Sequence, residues 1–309
     1  MTCYNHDNFD SDTGQWQLLT TNGATTLSGG KRSFTKTSGT FDETGMREVT
    51  GWAFEKGDTI DLWFKLDEAH SSNTYLMIGI DGHNDTSLHQ PTEAGGHSYS
   101  DGGVVKIHGR GAGVASDSND HTETMSTTDT YRLRWTCDAT TGELEVSISG
   151  GVFGGSETVI CAKNSVDISN HTSYPYLNLQ VNPATVNTPV SIAAYARYDS
   201  DGLAPEAPAD LTGISTTSSV TLSWDNSLGA KSKTGVDVER FINPGLGWEL
   251  LATLNANADA YLDSGLKANH TYTYRVRAWL DIPEAGGRID GEYSSEFTIK
   301  TKKEHGNQN

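Results

Sequence analysis

The last third of the chain alternates apolar and polar residues with a period of two, in short runs that restart roughly every 8–12 residues, the rhythm of a many-stranded sandwich. Ser219–Trp224 reads SVTLSW, which puts Val220, Leu222 and Trp224 on one face and Ser219, Thr221 and Ser223 on the other. Gly235–Phe241 (GVDVERF) sets Val236, Val238 and Arg240 on one side. Runs at Trp248–Leu254, Ala260–Leu266, Thr271–Trp279 and Glu292–Thr301 follow. Strands patterned in this way bury one face only, so they need a second layer across a core.

The pattern starts after Asp199-Ser200-Asp201-Gly202-Leu203-Ala204-Pro205-Glu206-Ala207-Pro208. Asp, Ser and Gly supply turn chemistry, and two prolines so close cannot sit inside a central strand, so this segment reads as a linker. The expected organisation is one domain over 1–203, a second over 204–302 and a polar tail over 303–309. A chain of 309 residues exceeds one ordinary sandwich and suits two.

The first 203 residues also read as all-β. Strands are expected at Asp58–Leu66, Thr74–Asp81, Tyr131–Cys137, Glu143–Ser149, Thr158–Lys163, Pro175–Val181 and Val190–Tyr198. Asp138-Ala139-Thr140-Thr141-Gly142 is a hairpin connection between the third and fourth of these. Asp81–Thr128 is polar and Gly-rich, with one expected strand near Val104–His108, and long loops of this sort are where binding concentrates. Cys137 and Cys161 fall in or near neighbouring expected strands, which leaves a single disulfide open.

Leu266-Lys267-Ala268-Asn269-His270-Thr271-Tyr272-Thr273-Tyr274-Arg275-Val276 resembles the E–F corner and F strand of fibronectin type III domains. That resemblance implies a corner role for Tyr272, with its ring buried and its hydroxyl bonded to backbone beside the turn, and for Leu266 ahead of it. Trp224 matches the family's B-strand tryptophan. Ala268-Asn269 stands where family members usually carry Pro-Gly. In the first domain, the opening Asp7-Asn8-Phe9-Asp10 with Trp16, the hairpin of Tyr131–Gly150 and the closing Tyr195–Gly202 resemble concanavalin A-like jelly-roll domains of lectins and glucanases. The expected fold class is therefore all-β, a jelly-roll sandwich followed by an immunoglobulin-like one.

The jelly-roll resemblance implies three kinds of site. Sugars in such domains stack on an aromatic ring, and Trp52, Trp63, Tyr75 and Tyr99 are the candidates. A calcium ion between the first turn and the last strand would use Asp7, Asp10, Asp12, Asp199 and Asp201, although no cofactor is required by the pattern. Laminarinase-type hydrolysis would need carboxylates facing one another across the sugar. Asp58 and Asp61 are three apart, so a regular strand sends them to opposite faces, and the expectation is a chain without catalytic activity.

The formal net charge is −18, with 12 basic and 26 acidic residues over 1–203, and no basic patch suited to a nucleic-acid backbone. No apolar stretch approaches the roughly 20 residues that cross a bilayer. Six of the ten histidines lie between His70 and His121 (with His83, His89, His97 and His108), at none of the spacings that pair ligands within one strand or helix. Met1–Asp7 shows neither a basic nor an apolar leader region. The expectation drawn from these features is a structural or adhesion protein of a virion surface, a capsid decoration or tail-fibre component of a tailed bacteriophage. It would be assembled in the host cytoplasm, contact other virion proteins and host-surface glycans, and be open to homo-oligomerisation. The alternative is an extracellular carbohydrate-binding module or a divergent laminarinase-type hydrolase.

Overall fold

The computed structural model describes residues 3–7, 14, 16–20, 23–28, 31–36, 43–49, 52–53, 55–66, 74–81, 94–101, 104–111, 121–123, 125–161, 172–181, 190–199, 202–226 and 232–304. Two compact units are present: Asp7–Ser200, and Asp201–Asn309 together with Met1–His6. The sequence places the boundary after 203 and leaves the first six residues with the first domain.

The strands of the first part are β1 (Cys3–Asp7), β2 (Trp16–Thr20), β3 (Gly23–Leu27), β4 (Arg32–Lys36), β5 (Glu43–Glu48), β6 (Trp52–Ala53), β7 (Thr59–Leu66) and β8 (Thr74–Asp81). They continue with β9 (Ala94–Asp101), β10 (Val104–Gly111), β11 (His121–Glu123), β12 (Thr130–Cys137), β13 (Leu144–Ser149), β14 (Thr158–Cys161), β15 (Thr172–Val181) and β16 (Val190–Tyr198). One sheet runs β14-β13-β12-β7-β16-β4-β3 and the other β11-β10-β9-β8-β15-β5-β2, a jelly-roll sandwich.

Alternation sorts the first sheet cleanly. Ile60, Leu62 and Phe64 of β7, Tyr131, Leu133 and Trp135 of β12, and Val146 and Ile148 of β13 are buried on one face. Tyr195 of β16 pairs with Leu62 on that face and meets Trp16 of the second sheet edge-on, with ring centroids 5.1 Å apart. This is the face that packs sheet on sheet. The β12–β13 hairpin is closed by Asp138, whose Oδ1 accepts the Thr140 and Thr141 N–H groups, each at 2.8 Å, and by Gly142 at φ 77°.

Two sequence expectations are corrected here. Asp81–Thr128 holds β9, β10 and β11 rather than one strand, because AGGHSYSD pairs through its backbone without the β-branched residues that advertise a strand. Cys137 carries a buried thiol 3.5 Å from the Gly142 carbonyl. Strand β13 lies between β12 and β14, so Cys137 and Cys161 are two strand spacings apart, about 9–10 Å and too far for a bridge.

The second part contributes β17 (Ala209–Ser215), β18 (Ser219–Asp225), β19 (Gly235–Asn243), β20 (Gly247–Asn255), β21 (Ala260–Ser264), β22 (Thr271–Ile282), β23 (Gly287–Tyr293) and β24 (Phe297–Lys300). Sheet β17-β18-β21 faces sheet β20-β19-β22-β23, with β24 also on β22, in the fibronectin type III arrangement. Val220, Leu222, Trp224, Val236, Val238, Leu266, Tyr274 and Val276 form the core. The Trp224 indole N–H donates to the Ala258 carbonyl at 3.0 Å. Tyr272 takes the Lys267 N–H on its hydroxyl at 2.9 Å, with its ring half-buried rather than enclosed. Asn269 adopts φ 55°, the left-handed turn conformation that glycine and asparagine tolerate best. The fully buried tyrosine is Tyr274, whose hydroxyl donates to Asp263 at 2.8 Å.

The outer face of the larger sheet carries an arrangement the alternation did not announce. The Arg275 guanidinium lies between the rings of Trp248 (4.1 Å) and Tyr293 (3.5 Å) and donates to Glu239 at 2.6 and 2.8 Å. Arg288 covers Trp279 at 4.6 Å, and Arg277 reaches Asp290 at 3.0 Å. Planar cations interleaved with aromatic rings cover this face, each cation also held by a carboxylate.

Candidate functional site

The second sheet of the jelly roll is the candidate, and its face assignments follow from backbone register. No ladder between β2 and β11 shifts register, so parity carries across seven strands. Trp16 marks the face turned to the first sheet. Leu18, Met46, Leu177, Leu179, Leu76, Ile78, Val105 and Ile107 share its parity. Apolar residues predominate on β15 and β8, as a core face requires, while Glu48, Ser98, Ser100, His121 and Glu123 share the parity and are polar.

The opposite parity has different chemistry. At one level Glu43, Gln180, Tyr75, Tyr99, Lys106 and Thr122 occupy directly opposed positions on successive strands. The next level holds Gly45, Asn178, Met77, His97 and His108. A third holds Arg47, Tyr176, Gly79, Gly95 and Arg110. This face therefore combines tyrosines, amides, imidazoles and cations around three glycines. Flat rings that stack on C–H surfaces, beside amides and cations that bond hydroxyls, are what a polar ring-shaped ligand needs.

Of the four aromatic candidates, Tyr75 and Tyr99 are brought side by side, paired across β8 and β9. Trp52 pairs with Ser173 and so shares the parity of Leu177, on the other face. Trp63 is corrected outright: it lies on β7 of the first sheet and is 3% exposed, which closes its ring to any ligand. Sequence spacing could not find the Tyr75–Tyr99 pair, since register between strands is a long-range property.

The acidic residues of β7 are occupied structurally. Asp61 accepts Arg134 Nε on Oδ1 and Arg134 Nη2 on Oδ2, both at 2.7 Å, and the Tyr198 hydroxyl at 2.8 Å. Burial opposes the Arg134 charge, but bonding to Asp61 outweighs it and holds the guanidinium above its ordinary pKa. Burial, with Asp61 beside it, pushes the Tyr198 phenol up. Asp58 lies just ahead of the strand, in a turn where its N–H donates to the Glu55 carbonyl at 3.0 Å. Burial raises Asp58 to about 6, against the lowering effect of the Glu55 N–H bonded to it at 3.0 Å and of nearby Arg197.

For calcium, Asp10, Asp12 and Asp201 lie outside the described residues. Asp7 is 4% exposed and accepts the Trp16 indole N–H at 2.9 Å. Asp199 lies close enough to Asp58 to raise its pKa, and no group of three or more metal-binding side chains gathers among the described residues. His70, His83 and His89 also lie outside the described residues. In the second unit a groove of about 350 Å³ opens beside Arg240, Lys267 and His270, but Arg240 is already held by Asp263 at 2.8 Å and Glu249 at 2.9 Å.

No protein-family model matches the chain, and no curated protein does. Among solved structures, the Emp47p carbohydrate recognition domain is similar over 63% of this chain and 95% of its own length, at 13% identity and a TM-score of 0.47. A structure reported for endo-acting O-glycanases of the human gut microbiota is similar over 64% of this chain and 99% of its own, at 11% identity and a TM-score of 0.47. The fn3 domain of human collagen alpha-1(XX) is similar over 33% of this chain and 90% of its own, at 21% identity and a TM-score of 0.27. These are likenesses of chain path, and the chemistry of the polar sheet face stands apart from them.

Proposed function

We propose that the jelly-roll unit binds glycans without hydrolysing them, on the sheet face that carries Tyr75 and Tyr99, and that the fibronectin-like unit is a spacer or adhesion module. The observation that carries this reading is the direct pairing of Tyr75 with Tyr99, flanked at the same level by Gln180 and Lys106. Two adjacent rings give a stacking platform for a sugar, and the amide and ammonium supply directional bonds to hydroxyls. Among the described residues Glu43 is the one carboxylate at the level of the tyrosine pair, and glycoside hydrolysis uses two facing carboxyl groups, which favours binding over hydrolysis.

A glycan array with the intact chain, paired with an assay for released reducing ends, tests the reading. Tyr75→Ala and Tyr99→Ala should each abolish retention of whatever glycan the parent binds, with no release of reducing sugar by any of the three. Sugar release by the parent would replace this reading with the hydrolase one. A virion-surface setting is the finer part of the proposal and has behind it only the union of two sandwiches with no assigned catalytic set. Finding the chain as a repeated subunit on purified particles would support it.

A further inference from the structure

His97 and His108 are eleven residues apart in sequence but occupy directly opposed positions on β9 and β10. Met77 holds the next position at the same level on β8, and Asn178 the one beyond it on β15. His121 pairs with Ile107 and therefore takes the other parity. The strand pairing thus selects two of the histidines on the polar face and separates the third.

We propose that His97 and His108 form a two-imidazole chelate for a divalent first-row transition-metal ion. Directly opposed residues on antiparallel strands have Cβ atoms about 4.5–5.5 Å apart. Imidazole nitrogens bind such ions at about 2.0–2.1 Å, a reach compatible with two ligands at paired positions of that separation. Neutral imidazole suits Zn²⁺, Ni²⁺ and Cu²⁺ rather than hard calcium or magnesium, and the general affinity order puts Cu²⁺ first. Water completes the coordination. The inference rests on register alone and does not need the glycan reading to hold.

Titration of the tag-free, full-length chain with Ni²⁺ and Zn²⁺ by calorimetry tests it, with no sugar present. One ion per chain is expected. His97→Gln and His108→Gln should each weaken binding by at least about tenfold, since either leaves a single imidazole, whereas His121→Gln should leave it unchanged. A second measurement needs no variant: Ni²⁺ should protect His97 and His108 together from carbethoxylation, read by peptide mass spectrometry. Absence of saturable binding, binding retained by both variants, or protection that spares these two histidines would overturn the proposal. Glycan retention unaffected by metal or by these substitutions would leave it standing.

Discussion

Asp58 and Asp61 stand three residues apart at the start of one strand, yet one carboxylate is locked in an ion pair and the other is pushed toward its neutral form. Asp61 has no exposed side-chain surface and two Arg134 bonds at 2.7 Å, while Asp58, 3% exposed, titrates at about 6. The different consequences of removing each are measurable.

Removing one partner of the Asp61–Arg134 pair should be worse than removing both. Asp61→Leu or Arg134→Leu alone leaves a charge without its main partner and should cost about 3–5 kcal/mol in urea unfolding. The double Leu substitution should cost less than either single one. Additive losses in the double variant would mean that the pair is not the source of the effect.

The Asp58 carboxyl is raised from 3.8 to about 6, so the folded state holds the proton more tightly than the unfolded chain. Its stabilising contribution is complete below about 3.8 and is lost as pH rises through about 6. Asp58→Asn cannot ionise and escapes that loss. Relative to the parent, the variant should gain about 2 kcal/mol between pH 4 and pH 7.5 in urea midpoints. An equal difference at both pH values would dismiss this role.

Arg275 is held by two rings and a carboxylate at once. Arg275→Ala should destabilise the second unit by about 2 kcal/mol, and Arg275→Lys should recover only part, since the ammonium lacks the plane that fits between Trp248 and Tyr293. Full rescue by lysine would reduce the arrangement to simple charge pairing with Glu239.

Tyr272→Phe removes the acceptor for the Lys267 N–H and should cost about 1 kcal/mol. Tyr274→Phe should cost more, about 2 kcal/mol, because Asp263 is 6% exposed and keeps only Arg240 as a side-chain partner. Calorimetric melting of the two variants gives the ranking directly, and the reverse order would refute it.

The second unit was legible in sequence because its strands alternate cleanly and its turns carry their own chemistry, as at Leu266–Tyr272. The strand β9 was not, since AGGHSYSD has neither alternation nor β-branched residues and owes its strand state to pairing with β8 and β10. Aromatic residues could be nominated from sequence, but choosing Tyr75 and Tyr99 over Trp63 required knowing which face each strand buries. The Arg134 partner of Asp61 was equally hidden, 73 residues away, with only the pairing of β7 with β12 to reveal it. What sequence conveys well is local period, and what it withholds is the alignment of one period against another.

The uninterrupted register of the second sheet makes this surface unequally tolerant of genetic change. Exchanging one residue for another alters a single point of contact and leaves its neighbours in step. A one-codon insertion or deletion within β8 or β9 would instead invert everything beyond it, moving tyrosines inward and leucines outward. Lineages of this chain should therefore diversify ligand preference by substitution within these strands, while length variation is confined to the segments that connect them.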